Sequence, residues 1–330
     1  MVLGLGAEMR RRDFIKVVAG SAITWPLAAR GQQNTPLIAR IGIIDNSPSW
    51  NPFRDQLHEL GYAEGQNIAF EYRQAGGIPE RLDLAAAELV KVPVDVMAVF
   101  GTPAAQAALR ATKTIPIVAV SIGDPIKGGL VSSIARPGGN VTGNTILGPD
   151  VVTKRLQILR DAIPTVRHIG FLWNPDNASN AAILEQLRQA VPLFQMTLAS
   201  LQARTGGDFE NIFAHLSSDR LDAVLTTNDP FHEMHMAEVI AFLLKNRIPG
   251  MFQIRQNVVD GGLMAYGASF PALMRQGAIY ADKILRGTKP QDLPFEQPIK
   301  FDLTVNLETA KALGLTIPES FLSLADEVIE

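Results

Sequence analysis

Cysteine is absent from the 330-residue chain. Disulfides and thiolate metal sites are therefore excluded together, and nothing can mispair in an oxidising compartment. A lipid anchor carried on a cysteine is excluded as well. An excess of either charge is also missing: the formal net charge is -3 with 19% charged residues, so no basic footprint for nucleic acid exists. No run is long and apolar enough for a membrane span, which needs about 20 such residues. The nearest candidate, Val17 to Ala29, is interrupted by Gly20, Ser21, Thr24 and Pro26.

Catalytic signatures are equally scarce. Gly4-Leu5-Gly6 precedes any predicted strand and no GxGxxG follows the first one, which disfavours a Rossmann dehydrogenase. No GxxxxGK[ST] is present, so P-loop phosphate binding is out. Ala119-Val120-Ser121-Ile122-Gly123 lacks the first glycine of a nucleophile elbow. His232-Glu233-Met234-His235 spaces its histidines at i and i+3, not the i and i+4 of a zincin, and reads as solvent-exposed helical histidines beside core methionines. The chain is expected to be no enzyme and to need no cofactor or metal.

What is present begins with Arg10-Arg11-Arg12-Asp13-Phe14-Ile15-Lys16, ahead of the weakly apolar run and Ala28-Ala29-Arg30-Gly31. This order matches a twin-arginine export signal over residues 1–31, which directs the remainder to the periplasm. About 300 residues would remain, enough for two lobes of ordinary domain size.

From Leu37 onward, β-branched runs alternate with helical patterns, the signature of parallel sheets with crossover helices. Predicted strands are Ile41 to Ile44, Ile68 to Tyr72, Val96 to Phe100, Ile117 to Val120 and Val141 to Gly143, then His168 to Trp173, Gln195 to Ala199, Ala223 to Thr226 and a run near Met251-Phe252. Leu82, Ala85, Ala86, Leu89 and Val90 recur at helical spacing, as do Val152, Leu156, Leu159 and Ile163. In open parallel sheets ligands bind beyond the carboxyl ends of the strands. Those ends carry Asp45-Asn46-Ser47-Pro48, Gly101-Thr102-Pro103, Ser121-Ile122-Gly123-Asp124-Pro125, Asn174-Pro175-Asp176-Asn177 and Thr227-Asn228-Asp229-Pro230. Such loops suit a ligand, and they equally suit turns and helix caps.

The run Gly101-Thr102-Pro103-Ala104-Ala105 through Thr114-Ile115-Pro116-Ile117-Val118 to Gly123-Asp124-Pro125, closing with Arg136-Pro137-Gly138-Gly139-Asn140-Val141-Thr142-Gly143, resembles the ABC transporter substrate-binding protein family related to tryptophan- and tyrosine-binding proteins. Gly261 to Gly267, Ala281 to Gly287 and Asn306 to Leu315 agree with it. The resemblance implies a type I periplasmic-binding-protein fold, α/β, with two doubly wound parallel-sheet lobes joined by a three-segment hinge. It divides the chain into 37–144 plus 271–297 and 149–266 plus 301–330, with crossings near 145–148, 267–270 and 298–300.

It further implies a periplasmic receptor that closes on an amino acid or related carboxylate and delivers it to an inner-membrane ABC permease and its ATPase. A monomer without nucleic-acid partners is expected. The alternative is a periplasmic ligand sensor feeding a signalling partner. Carried over by position, Thr102 would hold a carboxylate, Asp124 would accept from an amine or cap its helix, and Asp229 would be the counter-charge for an ammonium group. Ser47, Ser121, Asn144, Asn174, Asn177, Asn228 and the aromatic Tyr266 complete the expected ligand-binding set. Trp50, in the proline-rich first loop, either stacks on an aromatic ligand, faces the surface or packs within its lobe.

Overall fold

Two β-sheets, the first all parallel and the second parallel but for one strand pair, each covered on both faces, organise the computed structural model, which describes residues 38–45, 48–146, 151–216 and 220–330. The export signal at 1–31 and Ser47 lie outside the described residues. Ile38–Glu330 forms one compact unit built from two lobes.

The first sheet takes β1 (Ala39–Ile44), β2 (Ile68–Arg73), β3 (Val96–Phe100), β4 (Ile117–Ile122) and β5 (Val141–Thr145) in the order β2-β1-β3-β4-β5, all parallel. Alternate residues of a strand face opposite sides, and β3 divides accordingly. Met97 and Val99 enter one core with Ile117 and Ala119, while Val96 and Ala98 enter the other with Val118 and Val120. Burial on both faces explains why these strands read as continuous apolar runs.

The second sheet contains β6 (His168–Trp173), β7 (Thr197–Gln202), β8 (Ala223–Thr226), β9 (Gly250–Phe252), β10 (Met264–Ala268), β11 (Phe301–Asn306) and β12 (Glu327–Ile329), ordered β12-β11-β10-β9-β8-β6-β7. It too has a core on each face: Phe171 and Trp173 point into one and Leu172 into the other.

Between β10 and β11 the chain visits the first lobe. The helix Phe270–Leu285 packs on β4, where a methyl group on Gly277 would sit 2.5 Å from the Val120 Cγ2, so only glycine permits this approach. Asn144 donates to the Leu273 carbonyl at 2.8 Å and Tyr280 to the Pro294 carbonyl at 2.6 Å, fastening the segment. The chain then re-enters the second sheet at the end it left, so β11 must run antiparallel to β10. This one antiparallel pair joins an otherwise parallel sheet. The strands β10, β11 and β12 were not predicted.

Candidate functional site

The loops after β2, β3 and β4 of the first lobe meet the loops after β6 and β8 of the second. Glycines make three of these contacts possible. A methyl group on Gly77 would lie 2.9 Å from the Phe231 nitrogen, one on Gly101 2.7 Å from the Pro230 Cγ, and one on Gly123 2.3 Å from the Ser179 Cβ. Gly77 and Gly101 also adopt positive φ, 67° and 79°, a region that favours glycine. Among the described residues two hydrogen bonds cross the seam: Thr102 Oγ1 with Ser179 Oγ at 2.8 Å, and Asn228 Nδ2 to Ser121 Oγ at 3.1 Å. Ser121 itself is buried at φ 55°, with its amide held by Asn144 Oδ1 at 2.8 Å. The space left inside the seam is about 10 Å³, room for about one water.

Behind the seam, Asp229 is fully buried and organises the second lobe. Its Oδ1 accepts from the Phe231 and His232 amides at 3.1 and 3.2 Å and from Asn174 at 3.3 Å. Its Oδ2 accepts from Asn177 at 2.8 Å and Asn180 at 3.1 Å. One carboxylate thus caps the helix Pro230–Glu233 and ties it to the start of Ala178–Ala190. With five N–H donors already around it, Asp229 has no face left for a ligand ammonium, which corrects the role assigned from sequence.

The remaining expected residues fall into distinct places. Thr102, Ser121, Asn177 and Asn228 do converge, but on the narrow seam. Asp124 caps its own turn, accepting from the Ile126 and Lys127 amides at 2.9 and 3.0 Å. Asn174 and Asn177 are spent on Asp229 and on local caps. Asn144 joins β4 to the returning helix. Tyr266 stacks on Phe301 at 5.8 Å, packs on the second-lobe core and lines neither cavity described below. Burial, then Asp326, raises its phenol above the usual value. Trp50 is buried edge-on against Phe53 and donates to the Asp45 carbonyl, so it packs within its lobe.

Open space lies beside the seam. A cavity of about 630 Å³ is bounded by Phe100 and Phe270 of the first lobe and by Glu233, Gln253, Asn257 and Asp260 of the second. A smaller one of about 310 Å³ adjoins it and shares Ser49, Phe100, Glu233 and Met234. Asp45 lines the smaller cavity, but its carboxylate is taken by the Ala75, Gly76 and Gly77 amides. Gln253, 2% exposed, accepts from the Asn228 backbone N–H at Oε1 and, among the described residues, leaves Nε2 without a partner; Asn228 Oδ1 is likewise unpaired.

Glu233 is the residue sequence reasoning missed. Its partner is a single side-chain amide, Asn257 at 3.4 Å. Burial pushes its carboxyl up to about 8; the Asn257 contact opposes the shift, and Asp229 and Asp260 add to it. Neighbouring assignments change too. His232 is fully buried, with Nε2 at 2.9 Å from the Ala203 carbonyl, whereas Met234 is largely exposed toward the cavities. Among the described residues no group of three or more metal-ligating side chains exists, and no helix is long and apolar enough to cross a membrane.

The raised carboxyl has a measurable consequence. Below the ordinary value of 4.5 folded and unfolded chains both carry the proton, and the stabilising contribution is fully present. As pH rises from there to about 8, the unfolded chain loses a proton the folded one keeps, so stability falls across that window and then levels. Glu233→Gln should flatten this decline in urea midpoints; an unchanged slope in the variant would refute the assignment.

The sequence family described as ABC transporter substrate binding protein matches residues 49–329. A Clostridioides difficile protein described as tyrosine-binding is 26% identical over 264 residues, 80% of this chain and 75% of the relative. A conserved domain protein from Vibrio cholerae superposes with a TM-score of 0.83 at 28% identity, over 88% of this chain and 99% of that one. An ABC domain from Streptococcus pneumonia in complex with L-Trp gives 0.82 at 25% identity with the same coverage.

Proposed function

The chain belongs to the ABC transporter substrate-binding protein family, and from that membership we propose that it is the receptor of an ABC importer, closing its lobes on an amino acid or related carboxylate. The observation that carries the reading is the cleft lined by residues of both lobes, about 630 Å³ and adjoined by a second cavity, within the usual range for small-molecule sites. The lobes divide as 37–144 with 271–297 and 149–266 with 301–330, and the three crossings between them act as the hinge. Ligand held by both lobes stabilises the closed form by its differential affinity. A permease and its ATPase in the inner membrane then receive the ligand. Arg10 to Lys16 support export by the twin-arginine route, with the receptor working as a periplasmic monomer.

Thermal unfolding against a panel of amino acids, aromatic acids, amides and sugars tests this. A compound that binds only the folded form adds about 2.7 kcal/mol at one hundred times its dissociation constant, and at least one amino or carboxylic acid should raise the midpoint. A panel in which only sugars do so would overturn the ligand class, and one without any shift would overturn the small-molecule reading.

A further inference from the structure

We propose that Glu233 is the specificity-determining anchor of the cleft and selects ligands that carry a protonated amine next to a hydrogen-bond acceptor. This rests on the receptor reading above and adds the ligand's head group to it.

The argument starts from position. Glu233 ends the short helix Pro230–Glu233 and borders both cavities. The other acidic groups of the walls are differently placed: Asp45 is filled by three backbone amides, Asp302 pairs with Lys300 at 2.9 Å, and Asp260, which receives Gln256 at 2.8 Å, borders the large cavity but not the smaller one. Arg255, the cation lining the large cavity, is engaged by both carboxylate oxygens of Glu327. Among the described residues, Glu233 therefore meets the cavity with one neutral amide as its partner and no cation bonded to it.

A second observation comes from the same wall. The buried Gln253 Nε2 is a donor with nothing to donate to, and a buried polar group left unpaired is costly. A ligand carboxylate or carbonyl would satisfy it, while an ammonium group would satisfy Glu233. Phe100 and Phe270, edge-on at 5.4 Å, offer an apolar surface for the rest of the molecule.

The proton balance follows. In the empty cleft at neutral pH, Glu233 keeps its proton because burial and the nearby Asp229 and Asp260 disfavour a further negative charge. The histidines of its own segment do not relieve this: His232 bonds the Ala203 carbonyl and His235 faces Glu238 at 3.6 Å. When an ammonium group enters, the carboxyl releases that proton to solvent and the pair forms as carboxylate and ammonium.

The test is isothermal titration of the full-length chain with L-tryptophan and L-tyrosine, their desamino acids indole-3-propionate and 3-(4-hydroxyphenyl)propionate, and tryptamine and tyramine. At least one amino acid should bind, and its desamino acid should bind at least thirtyfold more weakly. Its binding should release a proton, read from buffers of different ionisation heat, and tighten between pH 6 and 8. Glu233→Gln should lose at least tenfold affinity for the amino acid, leave the desamino acid unchanged and abolish both the release and the pH dependence. Gln253→Ala should weaken the amino acid more than the matching amine. Equal binding of amino and desamino acids, or an unaffected Glu233→Gln, would overturn the proposal and leave the receptor reading standing. Silence from all six compounds would overturn the proposal for these ligands, and the separate panel above then decides the receptor reading.

Discussion

Gly123→Ala should hold the lobes apart and reduce ligand affinity about a hundredfold, near 3 kcal/mol, while leaving the unliganded fold almost as stable as before. The added methyl would sit 2.3 Å from the Ser179 Cβ and 2.4 Å from its Oγ, and the Cβ cannot rotate away. Gly123 follows β4 in the first lobe, and Ser179 lies in the first turn of Ala178–Ala190 in the second, so the collision exists only when the lobes meet. Each lobe keeps its own cores. A ligand that needs the closed form then binds with its intrinsic affinity reduced by the small population still able to close. Small-angle scattering should give a larger radius of gyration for the variant than for the parent, and the double variant with Ser179→Gly should recover both compactness and affinity. Unchanged affinity in Gly123→Ala would mean that the seam does not govern binding.

The same seam explains how far the site was legible in the sequence. Strands β3, β6 and β8 were predicted at their observed bounds, because unbroken apolar runs ending in polar turns have few other readings. The strand β10 escaped because Met264-Ala265-Tyr266-Gly267-Ala268 contains one residue of high β-propensity; its pairing with β11 and β9 holds it in the sheet. For the site, the strand-end loops of the two sheets do meet across the seam, yet residue type could not separate a cap from a ligand contact. Asp124, Asn177 and Asp229 all proved to be caps. Glu233 looked like one more polar residue on a helix, and its meaning arises only from two cavities that meet beside it. A signal was present nonetheless: it stands four residues after a capping Asp, at the end of the short helix that follows the strand end facing the other lobe.

Asp229→Ala should cost about 4 kcal/mol or more, the largest loss of stability expected from a single polar side chain here. Five N–H groups converge on this carboxylate from two backbone amides and the side chains of Asn174, Asn177 and Asn180. Alanine removes the acceptor without offering another, and each buried donor left unpaired costs about 1 to 3 kcal/mol. Even if relaxation and water recover several of them, the remainder is a large share of a typical total of roughly 5 to 15 kcal/mol. Asp229→Asn should fall between parent and alanine variant. Its oxygen can keep the cap on Phe231 and His232, while its amide turns N–H groups toward Asn177 and Asn180, which are themselves donors. Urea unfolding of the three proteins at constant pH supplies the comparison, and an alanine variant within 1 kcal/mol of the parent would remove Asp229 as the organiser. The order of effects also separates two roles a cleft carboxylate can have. Loss at Asp229 should appear in the unliganded protein because the second lobe needs it to hold Pro230–Glu233 against Ala178–Ala190. Glu233→Gln should leave that helix in place and change what the cleft accepts.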